Sequence, residues 1–182
     1  MSIYRTHTCN EISLDDVGKH VKIAGFVETI RDFGGLVFLD IRDMYGVTQV
    51  VTSGKSEDVD FASRIPIESS VSVEGTVRKR APETVNEKIK TGLVEIAIEK
   101  IEILGKRTKD LPFEVNSNQD VREDLRLQYR FLDLRNTKLK DNLVLRAKVL
   151  QYLRSQMIEQ GFLEVQTPIL TSSSPEGARD YL

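Results

Sequence analysis

Cysteine is almost missing from this chain: its 182 residues include one, Cys9. No disulfide can close within the chain, which fits a reducing cytosol. Long hydrophobic runs are missing too. Nothing approaches the roughly 18 apolar residues of a membrane span. The polar, mixed opening over residues 1–10 lacks the apolar stretch of a secretory signal. The expectation is a soluble, cytoplasmic protein with no membrane partner. An excess of one charge is also lacking. Lys and Arg number 26 against 28 Asp and Glu, a net charge of −2. No global basic field therefore draws a polyanion, and any nucleic-acid contact must come from a local patch. Histidine occurs twice. His7 and His20 are far apart and have no cysteine or carboxylate framework, which argues against a metal site. There is no Walker loop, no dinucleotide-binding glycine fingerprint, no internal repeat and no low-complexity segment.

What is present suits one small domain plus part of another. Hydrophobic residues make up 40% of the chain, enough to bury a core. Residues 14–104 read mostly as strands. The first covers 21–31, with Gly25 inside it as a bend or bulge. The second, 36–42, alternates well and turns through Asp43-Met44-Tyr45-Gly46 into a third at 47–52. Ser56 is placed to cap a short helix over 57–65, which Pro66 helps to end. Two more alternating strands follow at 71–80 and 93–103. Three strands, a helix and two strands is the element order of the OB-fold, a five-stranded Greek-key barrel that binds oligonucleotides on one face.

Residues 105–120 form a polar hinge, with Gly105, Lys106, Arg107, Lys109, Pro112 and the cluster Asn116-Ser117-Asn118. Helical signals then dominate. Thr137 is placed to cap a long helix reaching about Gln160. Leu139, Leu143, Leu150, Leu153 and Met157 form one stripe along it, most simply read as core packing. Gly161 sits where a left-handed cap is expected. Residues 162–165 read as a short strand limited by Pro168. The predicted domains are a barrel over 1–104, a linker over 105–136 and the start of an α/β domain over 137–182.

Alternation assigns the candidate site. Val37, Leu39 and Ile41 enter the barrel; Leu36, Phe38, Asp40 and Arg42 share the other face. Phe38 on that polar face is either a platform for an unpaired base or a ring covered by a loop or helix. In the fourth strand Val71, Val73, Gly75 and Val77 point in, while Ser72, Glu74, Thr76, Arg78 and Arg80 point out. Arg78 and Arg80, with Arg31, offer guanidinium forks to phosphates or base edges; the alternative is a solvated strand face. Glu95 faces out and either accepts from a base edge or pairs with an arginine. Gln49 has ambiguous parity. Tyr129-Arg130-Phe131-Leu132-Asp133-Leu134-Arg135 reads as a charged, aromatic brace.

These residues closely resemble the bacterial-type aspartyl-tRNA synthetases of class II. The resemblance is carried by Tyr4-Arg5-Thr6-His7-Thr8-Cys9, Gly25-Phe26-Val27 with Arg31-Asp32, and Asp40-Ile41-Arg42-Asp43 through Gly46-Val47-Thr48-Gln49-Val50. It continues through Leu125 to Arg135 into Gly161-Phe162-Leu163-Glu164-Val165-Gln166-Thr167-Pro168, which looks like the first signature motif of class II enzymes. The last stretch, Ser174-Pro175-Glu176-Gly177-Ala178-Arg179-Asp180-Tyr181-Leu182, resembles the loop that follows it; its Pro175-Glu176-Gly177-Ala178-Arg179-Asp180 is far more specific, pointing to aspartate and arguing against a lysine- or asparagine-specific relative.

The resemblance implies a mainly β barrel that binds the anticodon stem-loop of tRNA(Asp), followed by a linker and the first helix and strand of a truncated class II α/β catalytic domain. By motif match Phe38 would stack on the central anticodon base. Arg31, Gln49, Arg78, Arg80 and Glu95 would give polar contacts to the anticodon loop. Pro168 would lie in the motif that builds a homodimer interface, and Glu176 in a mobile loop over bound aspartate. The parent enzyme would use ATP and Mg2+ to make aspartyl-adenylate and then charge tRNA(Asp). The later class II motifs do not occur in these 182 residues, so the chain reads as an N-terminal fragment with no complete catalytic set and no activity of its own. The rival reading is a stand-alone OB-fold binder of single strands. The long helix and the motif after it argue against that, since a free barrel needs neither.

Overall fold

The computed structural model describes residues 3–52, 54, 56–116 and 120–168, apart from the side chain of Ser56. The chain divides into two compact units, Met1–Glu114 and Val115–Leu182.

The first unit is a closed five-stranded barrel. Its elements are β1 (His20–Asp32), β2 (Val37–Arg42), β3 (Val47–Val51), α1 (Ser56–Ser63), β4 (Ser70–Lys79) and β5 (Val94–Gly105). The strand order around the barrel is β1-β2-β3-β5-β4, closed by pairing of β4 with β1. All neighbours are antiparallel except β3 and β5, which run parallel. Closure leaves no sheet edge unpaired. The interior is filled by β-branched and Leu side chains from the inward positions: Val21, Ile23 and Val27, then Val37, Leu39 and Ile41, then Val50, Val71, Val73, Val77 and Ile96, each at most 1% exposed. Each contributes roughly 1.5–3 kcal/mol by leaving water. Ala62 in α1, Ile65 just after it, and Cys9 and Ile12 from the N-terminal segment complete this core.

Two glycines let the strands coil tightly. A Cβ on Gly25 would lie 2.4 Å from the Arg42 carbonyl oxygen, and one on Gly75 would lie 2.0 Å from that of Ala97. The expected bulge at Gly25 is therefore a close backbone approach. The register of β1 against β2 shifts instead between Val27 and Thr29, leaving Glu28 as the extra residue. That shift exchanges the faces of everything after it: Val27 points in, yet Thr29 and Arg31 pair with Asp40 and Phe38. Strict alternation from Val21 would have sent Arg31 into the barrel.

The N-terminal segment is lashed to the β2–β3 turn by Asp43. One carboxylate oxygen accepts from the Cys9 backbone N–H at 3.0 Å and pairs with Arg5 at 3.3 Å. The other accepts from the backbone of Tyr45 and Gly46. The same segment covers Ser72, whose hydroxyl donates to the Tyr4 carbonyl at 2.9 Å. Ser72, expected in water, is therefore buried. Arg42 is buried too, paired with Glu28 at 3.3 Å and in short contact with Glu68.

The second unit holds α2 (Glu123–Gln128), α3 (Arg130–Asp133) and α4 (Thr137–Glu159). The charged segment that sequence read as a brace contains α3, and its Asp133 is buried between Arg126 and Arg130. The helix α4 is capped by Asn136, whose side chain accepts from the Leu139 N–H at 3.2 Å. Thr137, expected as the cap, is its first residue. Gly161, at φ +86, ends the helix in a Schellman motif: Phe162 N–H donates to Met157 O and Gly161 N–H to Ile158 O. Two further expectations are corrected. No strand forms over 162–165. The stripe Leu143, Leu150, Leu153 and Met157 is 40–53% exposed rather than core. Leu150, Leu153 and Met157 of that stripe line, with Phe162 and Leu163, an open apolar groove of about 310 Å³. Among the described residues no helix is long and apolar enough to cross a membrane.

Candidate nucleic-acid interface

The outer face of the barrel carries a continuous chain of polar side chains, with one member from every strand. The bulge in β1 turns Arg31 outward, where its two terminal nitrogens donate to the two oxygens of Asp40 on β2, at 2.8 and 2.9 Å. Asp40 also accepts from the Thr29 hydroxyl at 2.5 Å. The Arg31 Nη2 reaches on to Gln49 Oε1 on β3 at 3.3 Å. That contact resolves the parity of Gln49, which pairs across the strands with Asp40 and shares its outer face. Gln49 Nε2 then donates to Glu95 Oε2 on β5 at 3.2 Å. Glu95 Oε1 in turn accepts from Arg78 Nε on β4 at 2.7 Å.

Five of the six barrel residues selected by sequence therefore meet on one face: Arg31, Phe38, Gln49, Arg78 and Glu95. Arg80 departs from expectation. It lies just past the end of β4, with its side chain 7% exposed. Its Nε is 4.0 Å from Glu95 Oε2. Among the described residues, its Nε and Nη1 have no hydrogen-bond partner. The cation sits behind Glu95 rather than out in solvent. Alternation placed Arg80 outward, but alternation stops where the strand does. Glu95 is buried to 7% by the groups bonded to it although it projects from the barrel exterior.

Phe38 is half-buried and pairs across the strands with Arg31 on one side and Val51 on the other. A second ring stands beside it. Phe33, in the β1–β2 turn, meets Phe38 edge to face at 83°, with ring centroids 5.6 Å apart. Phe33 and Asp40 were not chosen from sequence. Asp40 could have been found from its position two residues from Phe38, on a face where it can pair with an arginine. Phe33 lies in a turn, where periodicity says nothing.

The face can offer a flat apolar ring beside oriented donors and acceptors, which is what an unpaired base requires. Its charge is small. Three guanidiniums stand against two carboxylates, so the face carries oriented polar groups rather than a strong net charge for phosphates.

Pro168, the last described residue, is exposed. Glu176 lies outside the described residues. Among the described residues no group of three His, Cys, Asp or Glu could hold a metal ion.

Known proteins place both units. The family described as OB-fold nucleic acid binding domain matches residues 21–104, and that described as tRNA synthetases class II (D, K and N) matches residues 122–182. The chain is 48% identical over 182 residues to the aspartate–tRNA(Asp/Asn) ligase of Pelagibacter ubique, covering 100% of this chain and 30% of that protein. It is likewise 48% identical over 183 residues to the enzyme of that name from Rickettsia prowazekii, again over 100% of this chain and 30% of the relative. It thus spans about 30% of the length of the curated relatives it matches. Among solved structures, asparaginyl-tRNA synthetase from Pyrococcus horikoshii, complexed with asparaginyl-adenylate, superposes with a TM-score of 0.81 at 29% identity. That match covers 97% of this chain and 39% of the other. The aspartyl-tRNA synthetase of Entamoeba histolytica shares the fold, with a TM-score of 0.81 at 24% identity over 92% of this chain and 40% of its own. With an OB-fold nucleic acid binding match over the barrel, a class II synthetase match after it, and near-half identity to aspartate ligases along all its residues, the chain is similar throughout to about 30% of the length of class II aspartate–tRNA ligases.

Proposed function

We propose that this chain is the anticodon-reading part of an aspartate–tRNA ligase, joined to the opening of its catalytic domain. The observation that carries the reading is the polar chain from Asp40 through Arg31, Gln49 and Glu95 to Arg78, laid beside the Phe38 ring. Phe38 supplies the stacking surface, and the amide, carboxylate and guanidinium groups read base edges or backbone of the anticodon loop. Arg80 acts from behind, with its guanidinium 4.0 Å from the Glu95 carboxylate. The barrel over 1–104 is the anticodon-binding domain, residues 105–136 the linker and 137–182 the beginning of the catalytic domain.

The whole ligase would activate L-aspartate with ATP and Mg2+ and pass it to tRNA(Asp) in the cytoplasm. The names of the relatives extend the second substrate to tRNA(Asn). In this reading Pro168 belongs to a homodimer interface and Glu176 to a loop over aspartate. The described residues offer no carboxylate cluster for the metal ion, so no step through ATP or Mg2+ is assigned to them.

The test is titration of the purified chain with the anticodon stem-loops of tRNA(Asp), tRNA(Asn) and an unrelated tRNA at fixed salt. The expected result is binding of the first at least tenfold tighter than the third. Equal affinity for all three would leave a general single-strand binder and overturn the reading.

A further inference from the structure

We propose that Phe33 is a second stacking ring, which takes the base next to the one on Phe38 and keeps the two bases unstacked from each other. This rests on the anticodon-reading face proposed above and extends it beyond the strands.

The β1–β2 turn is locked. Phe33 N–H donates to the Leu36 carbonyl at 3.0 Å, Asp32 Oδ1 accepts from the Gly34 N–H at 2.8 Å, and Gly34 and Gly35 take φ values of +72 and +143 that other residues resist. The turn therefore sets where the Phe33 ring stands. It stands in water. At 71% exposure Phe33 is the most exposed aromatic side chain among the described residues, although its ring touches Phe38. The fold gains little from such a ring, and its open surface is available to a ligand.

The angle between the rings decides what that ligand looks like. Two bases stacked on one another are parallel, and parallel bases cannot lie flat on two rings inclined at 83°. Neighbouring nucleotides that each use one ring are turned against each other by a similar angle. A sharply turned single strand offers that geometry; a duplex or a straight single-stranded stack does not. The ring pair thus selects the conformation of the loop as well as its bases.

The experiment compares stem-loop affinity for the wild-type chain, Phe33→Ala, Phe33→Trp, Phe38→Ala and the double variant Phe33→Ala/Phe38→Ala, at several salt concentrations and with thermal melts as folding controls. Phe33→Ala should melt like wild type, weaken binding by roughly tenfold as expected for a lost base stack, and leave the salt dependence unchanged. Phe33→Trp should bind like wild type. The double variant should lose about the product of the two single losses. A double variant no weaker than Phe38→Ala alone would mean that Phe33 only buttresses Phe38, and the inference would fall. Unchanged or tighter binding by Phe33→Ala would also overturn it. If the wild type does not bind, or Phe38→Ala binds like wild type, the anticodon-reading face itself is wrong, and the role of Phe33 goes with it.

Discussion

At the scale of single residues, pairing decides what each charge can do. Arg31 is engaged by both oxygens of Asp40, so in the free protein it is half of a neutral pair. Replacing Asp40 with Asn keeps the shape and removes the neutralising charge. Binding to the stem-loop should then become steeper in salt by roughly 0.7 in the log–log slope, the increment for one phosphate contact on a single strand. A melting-point change with an unchanged slope would show that Asp40 serves only the fold. Arg78 is the complementary case. Its Nε is held by Glu95, so Arg78→Ala should weaken binding by removing an oriented group while leaving the salt slope nearly unchanged; a fall of about 0.7 in that slope would mean that Arg78 meets a phosphate directly. Phe38→Ala separates ligand from core: affinity should drop by about 1–3 kcal/mol, and fold stability in urea by about 1 kcal/mol or less, against the ~3–5 kcal/mol of a fully buried ring. A large stability loss with unchanged affinity per folded molecule would place the ring in the core.

At the scale of elements, alternation made most of the barrel legible. The inward set Val37, Leu39 and Ile41 and the outward Phe38 follow from period two alone. What escaped the sequence were features that periodicity does not encode. The extra residue Glu28 changes the face of Arg31 without any glycine or proline to announce it. Arg42 and Ser72 have outward parity but are covered by Glu68 and the N-terminal segment, both remote in sequence. The cap of α4 moved by one residue because Asn136 and Thr137 are both good capping types, and backbone geometry chose between them. The stripe on α4 was visible, whereas its exposure depends on what packs against it. Two substitutions test the element-level account. Asn136→Ala should cost the second unit about 1 kcal/mol in a helix-monitored melt, and no change would mean that its cap bond carries nothing. Gly75→Ala would force a Cβ onto the Ala97 carbonyl oxygen and should destabilise the barrel by about 1–3 kcal/mol or more. A neutral effect would show that β4 and β5 can part at no cost.

At the scale of the whole molecule, the site and the closed barrel are one object. Arg31, Asp40, Gln49, Glu95 and Arg78 come from five different strands, so a partly open barrel has no intact site. Ligand binding then resists global opening. At a stem-loop concentration 100 times the Kd the stabilisation should reach about 2.7 kcal/mol, read as a shift of the urea midpoint; no shift would mean that the site survives in the open barrel. Cys9 gives a second view of the same opening. It is fully buried, and burial, then the negative charge of Asp43, push its thiol far above the ordinary range. A thiol reagent should label it only through opening, at a rate that rises with urea. Labelling as fast as a free peptide thiol would contradict that placement.

The five-strand chain also sets a time. Glu95 belongs to β5, the last barrel strand to leave a ribosome, and it is the group that joins Gln49 to Arg78. A growing chain that has exposed its first four strands holds Phe38 and the Arg31–Asp40 pair but lacks their continuation. Only when β5 slots between β3 and β4 is the row complete. Until β5 is in place, the row from Asp40 to Arg78 has no link between Gln49 and Arg78.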